Sequence, residues 1–392
     1  MHIFVPREGK AGERRVAIVP DVVSKYIRAG FTVAVEKGAG AHALADDGAL
    51  SAAGAEIVSA SEISKADVIL SVNPLTAEQF ASVKKGAITI SFLSPNQSLD
   101  SISAAANAGA TAFSLELVPR ISRAQSMDAL TSQALCAGYR AALVAAELSP
   151  RFFPLLMTAA GTVTPANVVV LGAGVAGLQA IATSRRLGAV VSAYDVRPAS
   201  ADEVRSMGAT FIDLKLEALE GARGYAREMS EERAAKQREL LTPYLASADV
   251  VITTAAVPGR PAPRLVTEEM VAAMKVGSVI VDLAAESGGN VAGSQPGEIV
   301  EKNGVRIWGG KDVPSQLPFH ASQLFAKNCM NLLMLMVKSE SDASGANKSS
   351  LHLDFDDEII AASAVTHHGE VRHEGAKVAL ANSGASSGGG SR

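Results

Sequence analysis

Val168-Val-Val-Leu-Gly-Ala-Gly-Val-Ala-Gly177 is the stretch that decides the fold of this chain. Its apolar residues predict a buried strand, and the glycines that follow predict a tight turn into a helix. In such a turn Gly172 permits the bend, Gly174 lets the backbone approach a pyrophosphate, and Gly177 allows the helix to pack closely on the strand. N–H groups at the positive end of the helix would donate to the phosphates. The stretch therefore predicts a dinucleotide-binding domain.

The end of the next strand indicates which dinucleotide is bound. Asp195 follows Gly177 at roughly the 20 residues typical of the motif, where a carboxylate accepts ribose hydroxyls. A negative charge there repels the 2′-phosphate of NADP(H), so we predict NAD(H). Arg197 leaves NADP(H) as an alternative cofactor, because a nearby arginine can bind that phosphate. Thr253 or Thr254, at the end of a later strand, would lie at the same edge of the sheet and face the ribose.

Short apolar runs alternate with helical patterns on both sides of this motif. The alternation predicts an α/β fold with two Rossmann-like domains, each with a parallel sheet, and a cofactor cleft between them. The NAD-binding domain would span 132–320. The other domain would be discontinuous, 1–131 plus 321–382, because the apolar helical pattern at 321–338 returns the chain to it. Residues 383–392 are small and glycine-rich, which predicts a flexible tail.

Three segments depart from the alternation. Residues 214–244 are charge-dense and too long for an ordinary connection, so we predict an exposed loop followed by an amphipathic helix. Within it, the two glycines close to Tyr225 are typical of a lid that hinges over a nucleotide, although a plain exposed loop would look the same. Residues 339–350 are Ser-rich and predict a linker. Residues 351–373 alternate like a β-hairpin with its turn near His368.

The composition excludes several classes of function. The 392 residues include 36 Lys and Arg against 40 Asp and Glu, a net charge of -4, which lacks the basic excess of a nucleic-acid surface. Cys136 and Cys329 alone cannot form a disulfide framework or a zinc cage, and they suit a reducing cytoplasm. The neighbours His367 and His368 would point to opposite faces of a strand, so we expect no metal site. No run reaches the ~18 apolar residues of a membrane span.

A second stretch, Pro119-Arg-Ile-Ser-Arg-Ala-Gln-Ser-Met-Asp128, joins the two predicted domains. A helical turn would present Gln125 and Asp128 on one face, and Arg120 adds a cationic donor. A nicotinamide carboxamide carries one carbonyl and one amino group, so it needs both donors and acceptors. The stretch either binds nicotinamide or forms the solvated first turn of a helix, and the residues alone leave both interpretations open.

These stretches together resemble the NAD(H)-binding domain of the proton-translocating nicotinamide nucleotide transhydrogenases, a family related to alanine dehydrogenase. The likeness covers nearly the whole chain, from Pro6-Arg-Glu and Arg14-Arg-Val-Ala to Phe325-Ala-Lys-Asn. The Arg-Ile-Ser-Arg-Ala-Gln-Ser run is far more specific to this family than the glycines are.

The resemblance implies a role for each residue of the site. Arg120, Gln125 and Asp128 would be the catalytic residues, which hold the nicotinamide and its carboxamide. The other implied cofactor-binding residues are Thr131, Ser132 and Tyr139 beside them, Gly172, Gly174, Val175, Ala176 and Gly177 around the pyrophosphate, Asp195, Val196, Arg197, Thr254 and Ala255 towards the ribose, and Gly224, Tyr225 and Ala226 in a mobile loop.

The resemblance also implies an activity and partners. Members of the family transfer hydride directly from NADH to NADP⁺ held by another domain, with Si/Re specificity, while a membrane-spanning domain translocates protons. Neither of those domains occurs in this sequence. We therefore expect a separate NAD(H)-binding subunit that acts only with an NADP(H)-binding subunit and a membrane-spanning proton-channel subunit. We further expect a homodimer on the cytoplasmic side of the inner membrane, held there by these partners.

Two other functions stay open. An amino-acid dehydrogenase of the alanine dehydrogenase type needs an acid/base pair for its proton transfers. That group has a Lys after the strand matching 67–70 and a His after the one matching 87–90, where this chain has Ser71-Val-Asn-Pro and Ser91-Phe-Leu-Ser. Hydride transfer between two nicotinamides moves no proton at the reacting carbons, so it needs only proximity and orientation. The second alternative is a catalytically silent NAD-sensing module.

Overall fold

The computed structural model of the chain describes residues 1–216, 230–256, 260–341 and 347–387. The chain divides into two compact units. The first unit comprises Met1–Gln133 and Leu317–Arg392, and the second unit comprises Ala134–Gln316. Each unit is built on its own largely parallel sheet, which confirms the predicted α/β class.

Six parallel strands form the sheet of the first unit. In chain order they are β1 (His2–Val5), β2 (Thr32–Glu36), β3 (Glu56–Val58), β4 (Val68–Leu70), β5 (Ile88–Ser91) and β6 (Thr111–Ser114). They lie in the order β3-β2-β1-β4-β5-β6, the usual order of a dinucleotide-binding fold, in which the winding reverses between β1 and β4. The helices of the first segment of this unit are α1 (Pro20–Arg28), α2 (Asp47–Ala52), α3 (Ala77–Ala81), α4 (Leu99–Asn107) and α5 (Ala129–Leu148), which continues into the second unit.

Local sequence explains where several of these helices begin. Pro20 stands in the first turn of α1, where the missing N–H of proline has no helical partner to lose. Thr76 caps α3 in a reciprocal capping box with Gln79. The Asp46 carboxylate caps α2 by accepting from the backbone N–H of Ala49.

The second unit contains an exposed hairpin and a seven-stranded sheet. The hairpin pairs β7 (Leu156–Thr158) with β8 (Gly161–Val163). The strands of the sheet are β9 (Asn167–Leu171), β10 (Val190–Tyr194), β11 (Thr210–Phe211), β12 (Val250–Thr253), β13 (Val279–Asp282), β14 (Ile299–Lys302) and β15 (Val305–Gly309). Their order is β11-β10-β9-β12-β13-β15-β14. The helices are α6 (Val175–Arg186), α7 (Ser200–Ser206), α8 (Glu231–Ser247) and α9 (Glu268–Ala272).

One edge of this sheet departs from the parallel prediction. β14 pairs antiparallel with β15, because only Asn303 and Gly304 connect them and a parallel pair needs a crossover of a dozen residues or more. Both residues have positive φ, 52° and 74°, as a two-residue type I′ turn requires. An Asn-Gly pair is a strong hairpin signal, so the sequence could have indicated this edge.

β9 shows why the sheet is covered on both faces. Val168 and Val170 pack into one hydrophobic cluster of the second unit, whereas Val169 and Leu171 pack into another. Successive side chains of a strand point to opposite faces, so a strand that is apolar throughout needs cover on both sides. The strand that leads into the glycine turn is therefore held at the centre of the sheet.

The segment predicted to interrupt the second unit is described only over some of its length. Residues 217–229 lie outside the described residues. After them Ser230 caps α8, whose Leu241 and Leu245 are buried while its first-turn glutamates are exposed. This confirms the predicted amphipathic helix.

The chain then returns to the first unit. It forms α10 (Pro318–Leu335), β16 (Val337–Ser341), β17 (Asn347–Leu351), α11 (Glu358–Ser363), β18 (Thr366–His367), β19 (Glu370–Val371) and α12 (Glu374–Ser387). The predicted linker at 339–350 is wrong where the structure describes it, since β16 pairs antiparallel with β17. Val337 and Leu351 are opposite each other in this pair and both pack on the core of the first unit, which brings the two strands together.

The hairpin predicted at 351–373 is correct only at its turn. His368 and Gly369 have φ values of 49° and 89°, and they join the short strands β18 and β19. α11 replaces the rest of the predicted alternation, because the Asp357 carboxylate caps it by accepting from a backbone N–H. α12 continues to Ser387, so it includes the first residues of the segment predicted as a tail, and 388–392 lie outside the described residues.

Candidate functional site

Two of the three glycines in the turn after β9 are required by the protein's own packing. Gly172 has φ +101°, and a Cβ on it would lie 2.6 Å from Oγ1 of Thr254. A Cβ on Gly177 would lie 1.9 Å from the carbonyl oxygen of Gly172. Both contacts are far below van der Waals distance, so a side chain at either place would push the helix off the strand.

Gly174 is different. It is exposed, and no heavy atom of the described residues lies within 4 Å of the place where its Cβ would be. It is also the N-cap residue of α6, and none of the described side chains caps that helix. The first N–H groups of α6 therefore face a surface onto which an anionic group can approach the backbone closely. Val175 and Ala176, both half-buried, form the first turn of α6.

The start of α6 is held against α5. A Cβ on Gly138 of α5 would lie 2.1 Å from the carbonyl oxygen of Ala176, so the two helices touch backbone to backbone. Tyr139 follows Gly138 on α5 and is 42% exposed. Tyr139 therefore lies one residue from the contact that fixes the glycine turn.

The Asp195 carboxylate is occupied by donors of the protein itself. It accepts from the backbone N–H of Ala173 at 2.8 Å, and from the backbone N–H, Nε and Nη2 of Arg197 at 2.9 Å each. The side chain of Asp195 is only 8% exposed. The neighbouring carboxylate raises the pKa of Arg197 by accepting its hydrogen bonds. A carboxylate has about four lone-pair sites, so ribose hydroxyls would have to replace donors of Arg197.

The loop after β12 is held by hydrogen bonds to a buried asparagine. Asn290, which is fully buried, accepts from the N–H of Ala255 at 3.0 Å and donates to its carbonyl at 2.8 Å. Thr253 is fully buried as well and donates to Asp282, so it does not face a ribose as the sequence suggested. Thr254 is partly exposed, and its hydroxyl donates to the carbonyl of Gly172 at 3.1 Å. Asn290 was missed because no spacing marks an asparagine that pairs with a backbone 35 residues away.

In the first unit, the stretch that ends at Asp128 forms a 3₁₀-helix over Ser122–Met127. Asp128 follows it as the N-cap of α5, accepting from the N–H of Thr131 at 2.8 Å and from its hydroxyl at 2.7 Å. Gln125 and Arg120 are exposed. A 3₁₀ turn places residues three apart on one side, so Gln125 lies on the side of Asp128. The Asp128 carboxylate therefore caps α5, as expected if the stretch forms the first turn of a helix. The same turn exposes the side-chain amide of Gln125.

Ser132 is directed inward. Its hydroxyl donates to Oδ1 of Asn328 on α10 at 2.7 Å. Val196, next to Asp195, is half-buried against a core cluster of the second unit. Gly224, Tyr225 and Ala226 lie outside the described residues.

The places where an amino-acid dehydrogenase would carry its acid/base pair hold other residues. The Ser71 hydroxyl donates to the carbonyl of Asn73 at 2.7 Å. In the stretch Ser91-Phe-Leu-Ser, Ser91 and Leu93 are buried and the hydroxyl of Ser94 donates to Glu116. Near Ser71 lies Glu8, which the sequence did not single out. Burial raises the pKa of Glu8, and its oxygens accept from the N–H groups of Val72 and Asn73 and from the Asn73 amide. By accepting these hydrogen bonds, Glu8 stabilises the backbone that follows β4.

The described residues contain no helix with both the length and the apolar character that crossing a lipid bilayer demands.

Family models match both halves of the chain. The model described as "Alanine dehydrogenase/PNT, N-terminal domain" matches residues 4–137, and "Alanine dehydrogenase/PNT, C-terminal domain" matches residues 141–374. Together they cover most of the sequence.

Relatives and solved structures agree with these matches. The first part of the NAD(P) transhydrogenase alpha subunit of Rhodospirillum rubrum is 49% identical over 383 residues, 95% of this chain and 98% of that protein. "Alanine dehydrogenase" of Mycobacterium tuberculosis is 33% identical over 303 residues, 76% of each. The crystal structure of transhydrogenase from Sinorhizobium meliloti superimposes with a TM-score of 0.83 at 43% identity, covering 95% of this chain and 99% of that one.

Proposed function

Because the chain belongs to the alanine dehydrogenase/PNT family, we propose that it is the NAD(H)-binding subunit of a transhydrogenase. Membership implies NAD(H) binding, and the similarity to transhydrogenase alpha subunits supports an oxidoreductase role. The finer proposal is that hydride passes directly to NADP⁺ on a partner subunit. A membrane-spanning subunit would couple this transfer to proton translocation, so that the chain works at the cytoplasmic face of the inner membrane.

The observation that carries the proposal is the contrast among the three glycines. Packing excludes a side chain at Gly172 and Gly177, whereas nothing in the described structure excludes one at Gly174. A position that is open, exposed and at the start of an uncapped helix fits the close approach of a pyrophosphate. Packing within the protein therefore explains Gly172 and Gly177, and a bound dinucleotide would explain Gly174.

The neighbouring residues fit the rest of an NAD(H) molecule. Asp195 would accept the adenosine ribose hydroxyls in exchange for donors of Arg197, and its charge would exclude a 2′-phosphate. Arg120, Gln125 and Asp128 would orient the nicotinamide and its carboxamide. The remaining residues assigned to the cofactor are Thr131, Ser132, Tyr139, Val175, Ala176, Val196, Thr254, Ala255 and the loop residues Gly224, Tyr225 and Ala226.

This chain's residues would act by orientation. NADH, when bound, supplies the hydride and leaves no proton for the protein to remove at the reacting carbon. Orientation and proximity are sufficient for such a step. The stretches Ser71-Val-Asn-Pro and Ser91-Phe-Leu-Ser at the places of the dehydrogenase acid/base pair agree with this, because neither supplies a Lys or a His for proton transfer.

The hairpin of the second unit supports the proposed homodimer. All residues of β7 and β8 are exposed, and Met157 is 80% exposed. Phe152 and Leu155, just before the hairpin, are 61% and 54% exposed. A contiguous exposed apolar segment of this kind marks an interaction site, and a second copy of the chain is the occupant that we propose.

A mixing experiment tests the function. The purified chain is combined with an NADP(H)-binding transhydrogenase subunit, and reduction of thio-NADP⁺ by NADH is followed by absorbance. We expect reduction with both proteins present and none with either alone. Reduction of NAD⁺ by the chain alone in the presence of alanine would select the dehydrogenase instead, and NADH binding without either reaction would select a sensing module.

A further inference from the structure

A chain of hydrogen bonds with a fixed direction begins at a buried ion pair in the first unit. Arg15 donates from Nε and Nη2 to the two oxygens of Glu13, at 2.8 and 2.6 Å. Its Nη1 donates to Oε1 of Gln133 at 2.9 Å. Both side chains of the ion pair are buried. Because a guanidinium can only donate, it determines which end of the Gln133 amide faces it.

Three further side chains, Gln133, Ser132 and Asn328, continue the series, and each accepts from the preceding group and donates to the next. Nε2 of Gln133 donates to the Ser132 hydroxyl at 3.1 Å, so that hydroxyl keeps its own proton for an acceptor. Oδ1 of Asn328 lies at 2.7 Å, nearer than the other acceptor, the Ala129 carbonyl at 3.1 Å. The Asn328 amide is thereby oriented with its nitrogen towards Ser126, and it donates to the Ser126 carbonyl at 2.9 Å.

Asn328 consequently bonds the chain on both sides of Asp128, through the backbone carbonyl of Ser126 and the side-chain hydroxyl of Ser132. Ser126 precedes Asp128 by two residues, and Ser132 follows it by four. Asn328 is only 7% exposed, so water does not readily substitute for either bond. Asn331, one turn later on α10, also donates to the Ser126 carbonyl at 3.0 Å, but it is only half-buried and does not bond Ser132. Asn328 is thus the residue that ties both ends of the turn to α10.

We propose that Asn328 is a positioning residue for the nicotinamide-binding turn. Its amide holds the Ser126 carbonyl and the Ser132 hydroxyl, and through them it restrains the turn from which Gln125 and Asp128 project. The buried Glu13–Arg15 pair sets the orientation of that amide from the far end of the chain of bonds. This inference rests on the proposed function, because it assumes that Gln125 and Asp128 contact the nicotinamide.

Two ligands separate a positioning role from a structural one. NADH contains the nicotinamide, whereas ADP-ribose shares the rest of the molecule and lacks it. Asn328→Leu removes the buried partner of both the Ser126 carbonyl and the Ser132 hydroxyl, so it should weaken NADH binding by about tenfold or more in calorimetry. ADP-ribose affinity should change by less than about twofold on the same scale. Hydride transfer to the NADP(H)-binding subunit should slow at saturating NADH.

Two more variants complete the experiment. Asn331→Leu removes the other, half-buried donor to the same carbonyl and should leave both affinities unchanged. Asn328→Ser is smaller and polar, so it gives a second measurement if the leucine is not tolerated, with the same expected loss for NADH alone. Equal loss of both ligands, or no loss of either, would overturn the inference. A wild-type chain that binds NADH no more tightly than ADP-ribose would instead overturn the proposed nicotinamide site, and the inference with it.

Discussion

The Asp195 carboxylate holds the Arg197 guanidinium by two parallel hydrogen bonds of 2.9 Å, from Nε to Oδ1 and from Nη2 to Oδ2. The residue that should recognise NAD(H) therefore also restrains the residue that would recognise the phosphate of NADP(H). In the sequence these two residues gave opposite indications about the cofactor. In the structure the two side chains form an ion pair, in which the carboxylate occupies two guanidinium donors that would otherwise be available to an anion.

Replacing Asp195 by asparagine should change the cofactor preference. The amide side chain would be neutral and would have one acceptor oxygen, so Arg197 would be released to bind a 2′-phosphate. For Asp195→Asn we expect NADH affinity to fall and NADPH affinity to rise by about tenfold each, as measured by calorimetry. Adding Arg197→Ala should abolish the gain for NADPH. An unchanged NADPH affinity in Asp195→Asn would show that Arg197 is not restrained by the carboxylate.

Alanine at two of the glycines should separate binding from folding. Gly174→Ala adds a methyl group where the described structure has space, so the melting temperature should stay near that of the wild type while NADH affinity falls by about tenfold. Gly177→Ala places a Cβ on the carbonyl of Gly172 and should lower the melting temperature by about 5 °C or more. Thermal melts and calorimetry check both. Wild-type affinity in Gly174→Ala would count against a pyrophosphate at this turn.

The Glu13–Arg15 pair should contribute to stability in a pH-dependent way. Burial alone would raise the pKa of Glu13, but the hydrogen bonds and charge of Arg15 outweigh it and lower the pKa to about 2. A lowered pKa means that the contribution is complete above the unfolded value, near 4.5, and is lost as the pH falls towards 2. Glu13→Gln should therefore reduce the free energy of unfolding at pH 7, by about 3 kcal/mol.

Urea unfolding at several pH values measures this contribution. The difference between wild type and Glu13→Gln should be constant from about pH 7 to 5 and shrink below pH 4.5, because Glu13 of the unfolded wild-type chain then takes up a proton while Glu13 of the folded chain stays ionised down to about pH 2. Glu374→Gln removes an exposed ion pair with Lys377 and is the control, which should unfold as the wild type does. A difference that does not depend on pH would mean that Glu13 acts by packing and not by charge.

A charge in the exposed hairpin should dissociate the proposed homodimer. Met157→Asp places a carboxylate in an apolar surface, and its desolvation would oppose association. Sedimentation at micromolar concentration should show a dimer for the wild type and a monomer for Met157→Asp. Val378→Asp, at an exposed valine of the first unit, is the control and should remain dimeric. A dimeric Met157→Asp would place the contact elsewhere, and a monomeric wild type would refute the homodimer.

Much of the fold could be predicted from local sequence. The apolar run of β9 and the three glycines after it act within ten residues, so their pattern alone predicts a central strand, a turn and a helix. The Asn303–Gly304 hairpin was equally readable, since turn chemistry is local. The prediction of a linker at 339–350 failed because the pairing of β16 with β17 depends on where Val337 and Leu351 pack.

The sequence by itself determined the two α/β units and the residue types of the site, because strand periodicity and glycine turns depend on neighbours along the chain. Only the tertiary structure decided what those residues are bonded to. Asn328 meets Ser132 across 196 positions, and Asn290 meets Ala255 across 35. Such partners are determined by which strands and helices lie side by side. A hydrogen bond acts only over about 3 Å and here joins groups that are far apart along the chain, so it produces no periodic pattern in the sequence.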